Sequence, residues 1–308
     1  MSEARRRAQG YLLAAFSAVC WATGGLLAKW LFAHAGFPVT SFQLAAARSI
    51  VAVALLLVYL VAMRREELRV RPRDLWFLAV FGVAGLAMMH YTYFTAISLT
   101  NVATAILLEY LAPVIVLVFS VAFLGERLTW TLPLGVGLSV GGCALVVGVF
   151  SGRGLAVSPA GIAWGLASAF FFALYSVMGR AAAGRFSPWT LLAYGLLFAS
   201  AFWLLPLRAG PAVFALLSRP VGLLVVVVIA LVSTLLPFGA FLVALTRLDA
   251  TRATVTAALE PVIAGIGAAV FFHESFSLTQ LVGAALVVSA IFVVQGRASF
   301  GLGLPPGD

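Results

Sequence analysis

Pro113-Val114-Ile115 returns 148 residues later as Pro261-Val262-Ile263. The same displacement carries Phe123 onto Phe271, Glu126 onto Glu274, Thr131 onto Thr279, Gly135 onto Gly283 and Gly148 onto Gly296. Upstream, Ala96 and Ala105 meet Ala244 and Ala253. Leu and Val coincidences are common by chance in an apolar chain, whereas Pro, Glu and Gly matched at one offset carry weight. With small shifts in loop length the earlier segments agree as well: Gly10 and Ser17 with Gly161 and Ser168, Pro38 and Thr40 with Pro188 and Thr190. The chain reads as two copies of one unit, residues 1–150 and 151–297, followed by a Gly- and Pro-rich tail, 298–308, expected to be loose.

What the unit is follows from composition. Of 308 residues, 63% are apolar or aromatic and 9% charged, with a mean hydropathy of +1.12. A soluble domain runs near ~45–50% apolar and ~25% charged. Soluble enzymes, nucleic-acid-binding modules and disordered tails are excluded. Spans are expected at 9–31, 39–63, 75–98, 101–124, 129–149, 158–182, 187–209, 221–246, 250–273 and 277–297. Strand-like alternation is absent, which argues against a β-barrel. Arg5-Arg6-Arg7 before an apolar run imitates a signal peptide, but the run continues to about Leu31, so it is read as the first span. Thr129 and Ser277 suit helix starts. Cys20 and Cys143 both lie in apolar runs and read as small core residues.

With the N-terminus taken as cytoplasmic, fourteen of the nineteen Lys and Arg residues fall in inner segments, four in outer segments, and Arg48 lies within a span. By the positive-inside rule both termini face the cytoplasm of a multi-pass plasma (inner) membrane protein. Five helices per unit is an odd number, so the second copy enters the membrane from the opposite face. The expected fold is all-α integral membrane, ten transmembrane helices as two inverted five-helix repeats, an arrangement that recurs in secondary transporters.

Gly125-Glu126-Arg127-Leu128-Thr129 followed by Gly135, after a Pro-bearing helix, resembles the EamA repeat of the drug/metabolite transporter superfamily. Leu259-Glu260-Pro261-Val262, then Glu274, Ser277, Gln280 and Gly283, is similar again in the second copy. The resemblance covers about residues 10 to 297. It implies a central cavity between helices 1, 3, 4, 6, 8 and 9, and export of amino acids or other small metabolites; distant relatives carry nucleotide sugars or triose phosphates. His273 stands where Gly is usual, and Glu109 is an extra carboxylate in helix 4. Both make transfer of a relative's substrate unsafe.

Ionisable groups at membrane depth cost at least ~2.5–3.5 kcal/mol each on insertion scales, so they mark candidate sites. Arg48, His90, Glu109 and Glu260 qualify. Asn101, Ala105, Glu109 and Pro113 share one stripe of helix 4; Asp249, Ala253, Ala257, Glu260/Pro261 and Ala264 share one of helix 9. The two carboxylates read either as substrate or proton sites or as structural hydrogen-bonding groups within tight small-residue packing. Pro113 and Pro261 free the carbonyls of Glu109 and Ala257, which then need water, a neighbouring helix or a ligand; simple kinking is the alternative. Met89-His90-Tyr91-Thr92-Tyr93 is the densest polar-aromatic cluster in a span. His90 could relay protons with Glu109 or merely bond within the bundle. Trp21 in helix 1 and Tyr175 in helix 6, each beside small residues, suit the wall of an amphipathic ligand site. Arg48 is read as structural, snorkelling outward or bonding backbone carbonyls. Glu126 and Glu274 are expected to pair with Arg127 or backbone donors, away from substrate.

The expected substrate-binding set is therefore Trp21, His90, Tyr91, Tyr93, Glu109, Pro113, Tyr175, Glu260 and Pro261. The expected activity is secondary transport, with export of a small amino-acid-like or amphipathic metabolite, protons as possible coupling ions and no cofactor; oligomeric state is not legible. A channel or lipid scramblase is the alternative. An intramembrane enzyme is weaker still: His90 stands alone at depth, and no cluster has metal-ligand spacing.

Overall fold

The computed structural model describes residues 2–34, 39–100, 102–148, 158–205, 208–272 and 277–295. Asn101, Arg153, His273, Glu274, Gly296, Arg297, the Gly36-Phe37-Pro38 break and the tail 298–308 lie outside the described residues. Among the described residues the chain is helical, and eight helices are long and apolar enough to cross a membrane. Two further apolar helices, Thr131–Val147 and Pro188–Leu204, are shorter.

Helix α1 (Glu3–His34) begins earlier than the hydropathy suggests, because Glu3 pairs with Arg7 one turn on, at 2.6 Å, and draws the three arginines into the helix. A reciprocal cap between Thr40 and Gln43 starts α2 (Ser41–Met63). Next, α3 (Leu75–Val80) runs into α4 (Met88–Leu99) through a widened π-helical stretch, Phe81–Ala87. The fourth span is broken, into α5 (Val102–Glu109) and α6 (Ala112–Phe123), where Pro113 cannot continue the hydrogen-bond ladder. Thr129 does not cap α7 (Thr131–Val147); its hydroxyl instead lies 2.9 Å from that of Thr131.

In the second half, Ser158-Pro159 and Ser187-Pro188 start α8 (Pro159–Ala181) and α9 (Pro188–Leu204), each with a Ser cap and Pro in the first turn. The stretch between the expected spans 187–209 and 221–246 contains a short helix, α10 (Gly210–Leu217), whose Val213 and Leu216 bury against Leu44–Ala47 of α2. A second π-helical stretch, Leu231–Leu235, joins α11 (Pro220–Ala230) to α12 (Leu236–Leu245). The ninth span is also broken, into α13 (Ala250–Ala257) and α14 (Leu259–Phe272). Ser277 and Gln280 cap α15 (Leu278–Gln295), as expected.

Helices α7 and α15 pack antiparallel at backbone distance. A Cβ on Gly142 would meet the Gly283 carbonyl oxygen at 2.7 Å, and one on Gly283 would meet that of Gly142 at 2.7 Å. Gly135 lies against Ala290 and Val294 in the same interface. The main core runs through α1, α3, α4, α8, α9 and α12, with Phe81, Tyr175, Leu192 and Phe241 fully buried. Both cysteines are buried and free.

Candidate functional site

Each of the two helix breaks carries a carboxylate. Glu109 is the last residue of α5, and Glu260 is the second of α14. At the first break the backbone tightens: Leu111 N–H bonds Leu108 O at 3.1 Å and Val114 N–H bonds Leu111 O at 3.0 Å. At the second, Pro261 removes the donor that Ala257 O would accept. The Tyr110 hydroxyl donates its one proton to Glu260 Oε2 at 2.7 Å and lies 3.3 Å from Ala257 O. One side chain at the first break thus stitches the second. Ser168 of α8 donates to Glu109 Oε1 at 3.0 Å, so each carboxylate is oriented by a hydroxyl from another span.

Arg48 does not snorkel outward. Its Nη1 reaches Ser233 Oγ, 3.3 Å away in the wide stretch before α12, and its Nε is buried with no hydrogen-bond partner. Ser233 can sit there because Gly24 has no side chain: a Cβ would lie 2.1 Å from Ser233 Oγ. Arg48, Tyr93, Glu109 and Glu260 act on one another electrostatically. All four are partly buried. Among the described residues, no carboxylate lies within ion-pair distance of Arg48.

The aromatic residues assemble around one that the sequence reading left out. Phe238 of α12 touches Trp21 (centroids 5.2 Å apart), His90 (5.7 Å) and Tyr175 (5.6 Å). Tyr175 is fully buried among Phe81, Phe172, Phe238 and Phe241, with its hydroxyl 3.5 Å from Phe238 O. Trp21 leans on Phe172 and Phe241 as well, and its Nε1 is buried without a partner. His90 Nδ1 lies 2.8 Å from Leu86 O, one turn back in its own span, which leaves Nε2 as the remaining ring nitrogen. Among the described residues no hydrogen bond joins His90 to Glu109. Tyr91 faces elsewhere, against Trp164 and Phe202. Pro113 and Pro261 are buried and shape the breaks without offering a polar atom of their own side chains.

Two cavities, of about 420 and 490 Å³, open at the end of the bundle that carries the N-terminal arginines. They share Arg180, Asp249 and Arg252, and neither is lined by Glu109 or Glu260. Here guanidinium groups bond the free carbonyls at helix ends: Arg6 to Thr246 O (2.7 Å), Arg180 to Leu245 O (2.9 Å) and Arg252 to Val294 O (2.9 Å). Asp249 pairs with Arg252 and lies 3.9 Å from Arg180. Glu126 is held by Thr251 Oγ1 at 2.8 Å rather than by Arg127 or the backbone, and burial pushes its carboxyl above the usual carboxylate range.

The sequence pattern of the EamA-like transporter family matches residues 8–148 and, separately, 159–295. The chain belongs to the EamA-like transporter family. It is a multi-pass membrane protein. An uncharacterized transporter of Archaeoglobus fulgidus is 33% identical over 72% of this chain and 77% of that protein. The threonine/homoserine exporter RhtA of Escherichia coli K12 is 29% identical over 87% of this chain and 84% of its own. A probable terminal-alkyne amino-acid exporter of Streptantibioticus cattleyicolor is 28% identical over 74% and 76%. One solved crystal structure, 23% identical, shares the fold with a TM-score of 0.77 over 93% of this chain and 96% of its own.

Sequence reasoning had named Arg48 but not its partner, and it missed Tyr110, Phe238 and Ser233. Phe238 was within reach, since the 148-residue offset carries His90 onto it. Tyr110 falls about 100° off the Glu109 stripe, and only the helix break turns it toward α14.

Proposed function

We propose that this protein is a secondary exporter of small amino-acid-like metabolites, with ten spans in two inverted repeats that open a central site to either side in turn. The observation that carries the reading is the group of Glu109 and Glu260, each at a helix break, with Tyr93 and Arg48, all four partly accessible. Discontinuous helices near the midplane are where secondary transporters bind their substrates. That two relatives are a threonine/homoserine exporter and a probable terminal-alkyne amino-acid exporter supports the substrate class.

Contacts that exchange under the repeat offsets support the inverted arrangement. Gly142 meets Gly283 while Gly135 meets Ala290, and Gly10 meets Leu248 while Gly161 meets Thr100. The pairs Trp21–Phe172 and His90–Phe238 each join one position to its own counterpart. A two-fold relation between halves has this signature. The arginine-rich end is then the cytoplasmic one, where Arg6, Arg180 and Arg252 tie helix ends together. Tyr93, Glu109 and Glu260 face the substrate; Trp21 and His90 form the wall through Phe238; Tyr175, Pro113 and Pro261 support it from behind, and Tyr91 stands at its margin.

The test is counterflow in proteoliposomes with a panel of amino acids, with and without a pH gradient. Saturable exchange of at least one amino acid is expected. Non-saturable flux would favour a channel, lipid flip-flop a scramblase, and either would reject the reading. If Glu109 cycles a proton, Glu109→Gln should abolish gradient-driven accumulation and keep exchange; wild-type accumulation in that variant would remove the proton role.

A further inference from the structure

Arg48 is the one feature of the central group that neither fold nor capping explains. A guanidinium offers five N–H donors in a planar fork. Here one bond is recorded, to Ser233 Oγ at 3.3 Å, and Nε is buried with none. A charge at this depth is expensive unless paired, and two carboxylates within its electrostatic reach would be the natural partners. The fold keeps them away: Tyr110 holds Glu260 and Ser168 holds Glu109, both through hydroxyls on other spans. Arg48 and the two carboxylates thus stand within electrostatic reach of one another without pairing.

We propose that a zwitterion closes this gap, with Arg48 binding the substrate's carboxylate and Glu260 its ammonium, so that the site takes an α-amino-acid headgroup and rejects the corresponding amine or ester. This rests on the exporter reading above and narrows it to a recognition rule. Planar bidentate capture of a carboxylate is the task that a guanidinium performs and an ammonium does not. With Nε buried and Nη1 leaning on Ser233, the end of the fork formed by the two Nη nitrogens is the part left for a ligand. Glu260, with Oε2 taken by Tyr110, keeps Oε1 for a ligand. Glu109, three residues away in repeat register, is left for the proton role or for the ligand's side chain.

The experiment measures binding to purified, detergent-solubilised protein by ligand-induced thermal shift, with L-threonine, L-threonine methyl ester and 1-amino-2-propanol as probes. The same three compounds are run as competitors in counterflow. Wild type should bind threonine at least about tenfold more tightly than either analogue, the margin expected of a charge-assisted bidentate contact. Arg48→Gln should bring the three to within about twofold of one another. Arg48→Lys keeps the charge and loses the fork, so it should weaken threonine about tenfold and leave the amine unchanged. If Arg48→Gln does not fold, the lysine variant decides. Equal binding of threonine and its ester by wild type would overturn the assignment while leaving an exporter. Undiminished discrimination in either variant would overturn it as well. Failure of wild type to exchange or bind any amino acid of the wider panel would overturn the exporter reading itself.

Discussion

Removing one oxygen from Tyr110 perturbs the junction between the two halves without changing its packing. The ring is 4% exposed, so Tyr110→Phe leaves its contacts with Cys143, Val262 and Val287 in place. What disappears is a 2.7 Å bond to Glu260 Oε2 and a 3.3 Å approach to Ala257 O. A hydrogen bond to a charged acceptor contributes about 1.5–3 kcal/mol, and one between neutral groups about 0.5–1.5 kcal/mol. At 2.7 Å the bond has the length of an O–H···O⁻ contact, so the charged value is expected, a loss of roughly tenfold to hundredfold in the folding equilibrium. Thermal unfolding of wild type, Tyr110→Phe, Glu260→Gln and the double variant in one detergent forms a double-mutant cycle. In the Glu260→Gln background the acceptor is a neutral amide, so deleting the hydroxyl should cost only about 0.5–1.5 kcal/mol. An equal loss in both backgrounds would refute the claim that the hydroxyl serves a charged carboxylate. A loss under about 0.5 kcal/mol in wild type would refute the bond itself.

Three further predictions concern the frame around the site. Gly142→Ala and Gly283→Ala should each destabilise by about 1–3 kcal/mol, since each Cβ would sit 2.7 Å from the opposite carbonyl oxygen. The double variant should cost less than the sum, because the first methyl opens the gap that the second fills; additive melting shifts would contradict that. Trp21→Ala should lower stability by about 3–5 kcal/mol, because it empties a space bounded by Phe172, Phe238 and Phe241, and an unchanged melting temperature would show that the ring is not packed there. Glu126 binds its proton more readily folded than unfolded, so the stability this contributes is present at low pH and lost as pH rises through the folded value. Between about pH 4 and pH 7 the stability of Glu126→Gln, followed by melting, should therefore fall less than that of wild type; parallel curves would remove Glu126 as the source.

The helices were legible because hydropathy and Ser-Pro starts are local signals. Ser158-Pro159 and Ser187-Pro188 needed no tertiary information. The eight-residue helix after Gly210 was not legible, because Val213 and Leu216 have meaning only against α2. Depth alone singled out Glu109 and Glu260, since a carboxyl is conspicuous in an apolar run. Depth could not say where Arg48 points. That depends on Ser233, which is 185 residues away and is admitted only by the bare backbone of Gly24. Histidine in an apolar span reads equally as a relay or as a bond within the bundle; the Leu86 carbonyl one turn back engages Nδ1.

The two π-helical stretches, Phe81–Ala87 and Leu231–Leu235, make the site a matter of phase. A π bulge inserts one residue into the winding, which turns everything beyond it by about 100° relative to an uninterrupted α-helix. Tyr93 and His90 lie beyond the first stretch; Phe238 and Phe241 lie beyond the second. Ser233 lies inside the second. A chain with every one of these side chains intact, but one residue shorter within either stretch, would keep its hydropathy and its lengths of span. It would nonetheless swing half of a wall away from the other half. In this bundle the angular setting of two spans carries information that no residue identity at the site contains.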